Sequence, residues 1–438
     1  MTAKVPATFF HYLLTLFLLA GSHAFAASSG TAGQSTGAYP FANRYEATVF
    51  GTPPEFRFQL KQRVTPVTPS VRSISIENRQ VPEIFWYCKS VEYAEMLQKD
   101  EAPLIFIIAG TGGRFSSSKV EFLQRLFYDA GYHTVALSSP THFNYIASLS
   151  KHGVAGYVPY DTEDLYTLMQ WVKEDVESRR KVSRYSVTGY SLGAMHSAFL
   201  AERDRHEKRF NFDKVLLINP PVDLFSSATT FDSWLEAQNG NQTPQKAIDK
   251  FIRQFSEFYK SNNFAQLDSE VLYRFFTTVD MTDTELKQLI GASFRLTSSS
   301  MIFTSDVCLN AGYVVPANTH LDTASPLMRY FDTASQITFQ DYFREFLLPY
   351  LQYTDSGMTE EKALADCSLR KIADFLRTSD NIRLVGNEDD PILQTDEVAF
   401  LKQTFGKRAT LFATGGHCGN MQYVDFAQAM LRAMERQE

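Results

Sequence analysis

Residues 185–202 read YSVTGYSLGAMHSAFLAE. The apolar run Tyr185 to Thr188 predicts a strand, and Leu192 to Glu202 predicts a helix. Between them stands Gly189-Tyr190-Ser191-Leu192-Gly193, a match to G-x-S-x-G. The bare motif decides little, because ordinary Gly and Ser usage gives it by chance in about one chain in ten of this length. Its place between strand and helix carries the weight. A serine at such a corner sits on a strained turn, and glycines two positions away on either side let neighbouring backbone approach without a Cβ clash. The helix that follows turns its positive end, and the Leu192 N–H, towards that serine.

Working outward, Pro103 to Ala109 (PLIFIIA), His133 to Leu137 (HTVAL) and Lys214 to Ile218 (KVLLI) are short apolar runs suited to strands buried on both faces. Helices are expected at Val120 to Ala130 and after Asp161, an N-cap candidate ahead of a stripe formed by Leu165, Leu168, Met169, Val172 and Val176. Before them, FRFQL and EIFWYC between Phe56 and Ser90 read as β-like runs. Strands alternating with helices predict an α/β fold with a mostly parallel sheet flanked by helices. The alternation stops over residues 224–377. There Thr243-Pro244 opens a helix, and Thr282 to Glu285 and Thr338 to Asp341 read as capping boxes, so a mainly helical insertion is expected. It resumes with a strand at Ile382 to Val385, a helix from Gln394 to Phe405, a strand at Thr410 to Ala413 and a last helix from Val424 to Arg436.

The 438 residues carry 42 Lys plus Arg against 49 Asp plus Glu, a net charge of −7 that offers no global attraction for nucleic acid or anionic membranes. Lys4, the apolar Phe9 to Ala20 and Ala24-Phe25-Ala26 read as a signal peptide over 1–26. Twelve apolar residues rise only about 18 Å as a helix, too short for a bilayer core of about 30 Å. A periplasmic or secreted protein without a transmembrane segment is therefore expected, with a flexible Gly/Ser-rich leader over 27–45. In an oxidising compartment Cys88, Cys308, Cys367 and Cys418 allow three pairings, of which Cys308 with Cys367, both in the insertion, is preferred.

PLIFIIA runs into Gly110-Thr111-Gly112-Gly113. A nucleotide loop fails there, because the third glycine of G-x-G-x-x-G falls on Phe115. The turn instead has the position of a loop donating N–H groups to an oxyanion, with Thr111 the first candidate and Gly110 and Gly112 open beside it. Of nine histidines, His417 stands on a glycine loop after the last strand. His142 is a candidate substrate contact, and His196, inside the helix, reads as packed or surface. Glu388, Asp389 and Asp390 follow a strand and precede Pro391-Ile392. Asp390 is taken as the acid, with Asp389 in reserve and Asp223 as a further alternative. No H-E-x-x-H or C-x-x-C occurs, so no metal and no cofactor are expected.

Elbow GYSLG, loop AGTGG, turn NEDDPI and loop GGHCG, in chain order Ser, Asp, His, together resemble the α/β-hydrolase superfamily from about Ala102 to Gln437. The resemblance implies a core of residues 46–223 and 378–438, interrupted by a cap at 224–377. It also implies acyl transfer through Ser191, His417 and Asp390, with Leu192 and Thr111 N–H groups at the oxyanion hole. The substrate would be a carboxylic ester, thioester or lipid ester. Alternatives are a serine peptidase, a cofactor-independent lyase, or a non-catalytic binding protein on the same scaffold.

Overall fold

The computed structural model describes residues 38–61, 67–236 and 281–435, with a few positions between 250 and 278. The signal peptide, most of the leader and the helix expected from Thr243 lie outside the described residues.

Eight strands form one sheet: β1 (Ser70–Ile74), β2 (Val91–Met96), β3 (Ala102–Ile108), β4 (His133–Leu137), β5 (Val182–Tyr190), β6 (Lys214–Ile218), β7 (Ile382–Asn387) and β8 (Ala409–Phe412). Their spatial order is β1-β2-β4-β3-β5-β6-β7-β8. β1 and β2 run antiparallel at one edge, and β4 onward is parallel. Alternation within β3 sorts the two cores. Leu104, Phe106 and Ile108 pack with Val158 to Val176 and the elbow helix, while Ile105 and Ile107 face Phe122, Leu126, Phe426 and Met430.

The helices that matter to the site are α1 (Arg44–Phe50), α2 (Ser118–Asp129), α3 (Phe143–Ser148), α4 (Val158–Glu177), α5 (Leu192–Glu207), α6 (Leu224–Glu236) and α7 (Asp283–Leu309). Both expected capping boxes form, at Thr282 with Glu285 and at Thr338 with Asp341. Met301, Phe303, Phe339 and Tyr342, from the helical segment between β6 and β7, share one core with the sheet face that carries α4 and α5. No helix among the described residues is long and apolar enough to cross a membrane.

Five expectations are corrected. EIFWYC is no strand: Pro82 starts a single 3-10 turn over Glu83–Phe85, and Trp86 and Tyr87 beyond it are exposed. FRFQL likewise contributes only a bridge from Arg57 to Tyr423. The edge strands are instead SVRSI and VEYAEM, whose charges pair with one another: buried Glu95 accepts from Arg72 and bidentately from Arg179.

Asp161 does not cap α4. The helix starts at Val158, where Pro159 fits the first turn, and the Asp161 carboxylate accepts from Gly156 N–H instead. The leader does not extend to residue 45. Asn43 caps α1, Tyr39 packs edge-on to Tyr423, and Tyr45 is buried against Trp234. All four cysteines are free. Cys367 Sγ accepts from Val158 N–H at the start of α4, while Cys308 lies against Gly153. The two thiols are thus held by different neighbours.

Candidate active site

The C-terminal ends of β3, β5, β6, β7 and β8 lie along one edge of the parallel sheet, where α/β folds gather their binding groups. Ser191 follows β5 with φ 54° and ψ −127°, a strained conformation held by its neighbours. Its N–H donates to Ile218 O, and its carbonyl accepts from Ala194 and Met195. The motif glycines are dictated by contact. A Cβ on Gly189 would sit 2.3 Å from the Gly193 carbonyl, and one on Gly193 would sit 2.3 Å from Ile108 O.

His417 Nε2 lies 2.9 Å from Ser191 Oγ, and Nδ1 lies 2.9 Å from Asp390 Oδ2. An ionised carboxylate only accepts, so Nδ1–H donates to Asp390 and Nε2 is left to accept from the serine hydroxyl. Asp390 is buried and also accepts from Asn219 Nδ2 (2.9 Å) and Ile392 N–H (3.2 Å). Burial by itself would depress the His417 imidazole. The Asp390 charge, supported by Cys418, outweighs it and raises the pKa above the ordinary histidine value.

The rival acids take other work. Asp389 accepts from Gly415 and Gly416 N–H and so holds the histidine loop. Asp223 accepts from Ser226 N–H at the start of α6. The loop is fixed further by reciprocal amide bonds between Asn387 and Asn420, and by His417 N–H donating to Thr48 Oγ1 of α1. A Cβ on Gly419 would fall 2.0 Å from Ala47 O, so α1 lies directly on this loop.

In the glycine turn after β3, Gly112 N–H donates to Thr141 Oγ1 and Gly113 N–H to Gly110 O. No described group accepts from the Thr111 or Leu192 N–H, and both residues line the same pocket. Gly112 is thereby removed as an oxyanion donor. His142 does not line that pocket. Its Nδ1 accepts from Asn144 N–H at the start of α3, and burial, with the Arg114 charge, lowers its pKa to about 3. Thr141, one residue earlier, is the lining group. His196 is fully buried, its Nε2 3.4 Å from Asp161.

Asn219 and Thr48 were not singled out in the sequence. Asn219 carried a faint signal, as the residue after β6 in line with the other strand-end groups. Thr48 carried none, since its contact spans most of the chain. Phe231, edge-on to the His417 ring and stacked on Phe294, is likewise visible only in three dimensions.

Residues 156–282 match a family model described as alpha/beta hydrolase fold. The sheet order and its flanking helices, with this match, show an α/β-hydrolase fold. Solved structures similar to this chain include the thioesterase domain from the curacin biosynthetic pathway, at 12% identity and TM-score 0.39, covering 84% of this chain and 100% of that one. Est1E from Butyrivibrio proteoclasticus is similar at 12% identity and TM-score 0.38, covering 83% and 97%. Carboxyl esterase 2 from the fungus Tuber melanosporum is similar at 14% and 0.38, covering 87% and 90%. At these scores the likenesses say nothing of what this chain acts on. No curated protein matches the chain.

Proposed function

We propose that this α/β-hydrolase is an exported serine hydrolase that cleaves a carboxylic ester, thioester or lipid ester through an acyl-enzyme on Ser191. The observation that carries the reading is the continuous hydrogen-bonded chain from buried Asp390 through His417 to Ser191 Oγ. His417 Nε2 takes the Oγ proton as the oxygen attacks the carbonyl carbon. Asp390 keeps the imidazole in the required tautomer and stabilises its charged form. Negative charge developing on the carbonyl oxygen meets the N–H groups of Leu192 and Thr111, with Gly110 N–H a neighbouring alternative to Thr111. The bond to the leaving group then breaks, and His417 returns the proton to it. Water, deprotonated by His417, releases the acid and restores Ser191. No step requires a metal or cofactor.

Export rests on the leading 26 residues, with cleavage after Ala26 expected in the mature protein. Intact mass after treatment with a fluorophosphonate probe tests the mechanism. A single adduct on the wild type, absent from Ser191→Ala, is the expected result. A folded protein that takes no adduct would instead be a binding protein on a hydrolase scaffold.

A further inference from the structure

The geometry points to a short, uncharged acyl group, acetyl to butanoyl in size, as the part of the substrate that the site retains on Ser191. Met301 and Phe339 set its length. This rests on the acyl-enzyme reading above.

A pocket enclosing about 340 Å³ of empty space, its open mouth included, adjoins the oxyanion loop. Leu192, Leu224, Ala228, Phe294, Met301 and Phe339 give it an apolar lining. Both proposed oxyanion donors line it and His417 does not. The leaving group must collect its proton at His417 Nε2, so the pocket away from that nitrogen takes the group that stays bound to Oγ.

The character of that group follows from the wall. Among the described residues no charged side chain lines the pocket, and three of its four lining hydroxyls are engaged, that of Thr111 being the exception. Thr141 Oγ1 accepts from Gly112 N–H, Thr297 Oγ1 donates to Ser293 O, and Ser298 Oγ donates to Arg295 O. A carboxylate or ammonium on the acyl group would therefore be buried without an opposite charge beside it.

Size follows from the floor. The 340 Å³ of empty space already includes the open mouth, so the enclosed part is smaller still. Helix α7 lays three side chains along it at successive turns. Phe294 stacks on Phe231 beside His417, and Thr297 touches Gly112, where an added Cβ would lie 1.9 Å from Thr297 Cγ2. Met301 comes one turn further from the loop. Phe339 faces Gly156 on the same wall, where a Cβ would meet its ring at 3.4 Å. A chain longer than a few carbons runs into these two side chains.

The test uses p-nitrophenyl acetate, butanoate, octanoate and dodecanoate, with active sites counted by fluorophosphonate labelling. kcat/KM per labelled site should fall at least about tenfold from butanoate to octanoate, as expected when methylenes have no room. Met301→Ala and Phe339→Ala should each raise the octanoate-to-butanoate ratio several-fold, whereas Ala228→Phe should lower the butanoate-to-acetate ratio. Labelled protein that turns over dodecanoate as fast as butanoate would overturn the inference. So would a preference for hemisuccinyl over butanoyl esters, or ratios that none of the three substitutions moves. Protein that neither labels nor hydrolyses any ester removes the acyl-enzyme reading itself, and this inference with it.

Discussion

The two sides of the candidate site are held by different means. On the sheet side, backbone presses on backbone: Gly193 against Ile108 O, Gly419 against Ala47 O, Ser191 N–H on Ile218 O. On the helical side, side chain meets side chain or bare glycine: Phe231 on Phe294, Thr297 on Gly112, Phe339 on Gly156. Backbone contacts cannot be relieved by a rotamer change, so they fix the positions of Ser191 and His417. Side-chain contacts can be exchanged one at a time, so the pocket can be reshaped without disturbing the elbow.

The largest expected effects lie on the sheet side. Ser191→Ala should lower kcat on a short ester by about 10⁴-fold or more, and Asp390→Asn by a factor approaching 10⁴, with circular dichroism unchanged. A near-normal Asp390→Asn beside an inactive Asp223→Asn would break the assignment of the acid.

Next come two glycines that separate the two kinds of contact. Gly193→Ala meets the Ile108 carbonyl and should leave little folded protein, because no neighbouring side chain can be trimmed to make room. Gly112→Ala meets the Thr297 methyl, although its φ of 63° keeps some strain. Adding Thr297→Ala should therefore recover part of the lost stability, measured as Tm. Equal rescue of both glycine variants, or of neither, would erase the distinction.

A pH profile sharpens the sheet side further. The reaction needs neutral His417, so kcat/KM should rise as pH climbs through its raised pKa. Asp390→Asn removes the charge that raises this value and leaves burial, which lowers it. The acid limb should thus move to lower pH in the variant, while the plateau falls. A limb that stays in place would assign it to another group. Smallest is Asp389→Asn, which weakens the bonds to Gly415 and Gly416 N–H. It should cost about 1–3 kcal/mol of stability while leaving the position of the acid limb unchanged.

Much of this was legible because local patterns carry it. Buried parallel strands read as apolar runs, and HTVAL and KVLLI match β4 and β6 to the residue. Strand-end placement brought Ser191, Asp390 and His417 forward. Asp390 was preferred to neighbouring Asp389 for its place directly before Pro391-Ile392, but what each carboxyl meets, an imidazole or two backbone N–H groups, is visible only in three dimensions. β1 and β2 were hidden because Arg72, Glu92 and Glu95 mask their alternation, and EIFWYC misled because aromatic content resembles a strand where Pro82 imposes a turn. The pocket was not readable at all, since Gly112 and Thr297 meet only after the helical segment has folded back over the sheet.

Helix α1 has a further consequence. It contributes no reacting group, yet Thr48 receives the His417 N–H, Ala47 seats Gly419, Tyr45 packs on Trp234, and Asn43 donates to Asp283 at the start of α7. It thus fastens the histidine loop and the pocket helices to each other. A protease cut just after Gly51 would spare every strand and Ser191, His417 and Asp390 while removing that fastening. On the proposed acyl-enzyme reading, activity would then depend on an intact amino-terminal segment, and trimming there would work as an off-switch remote from the chemistry.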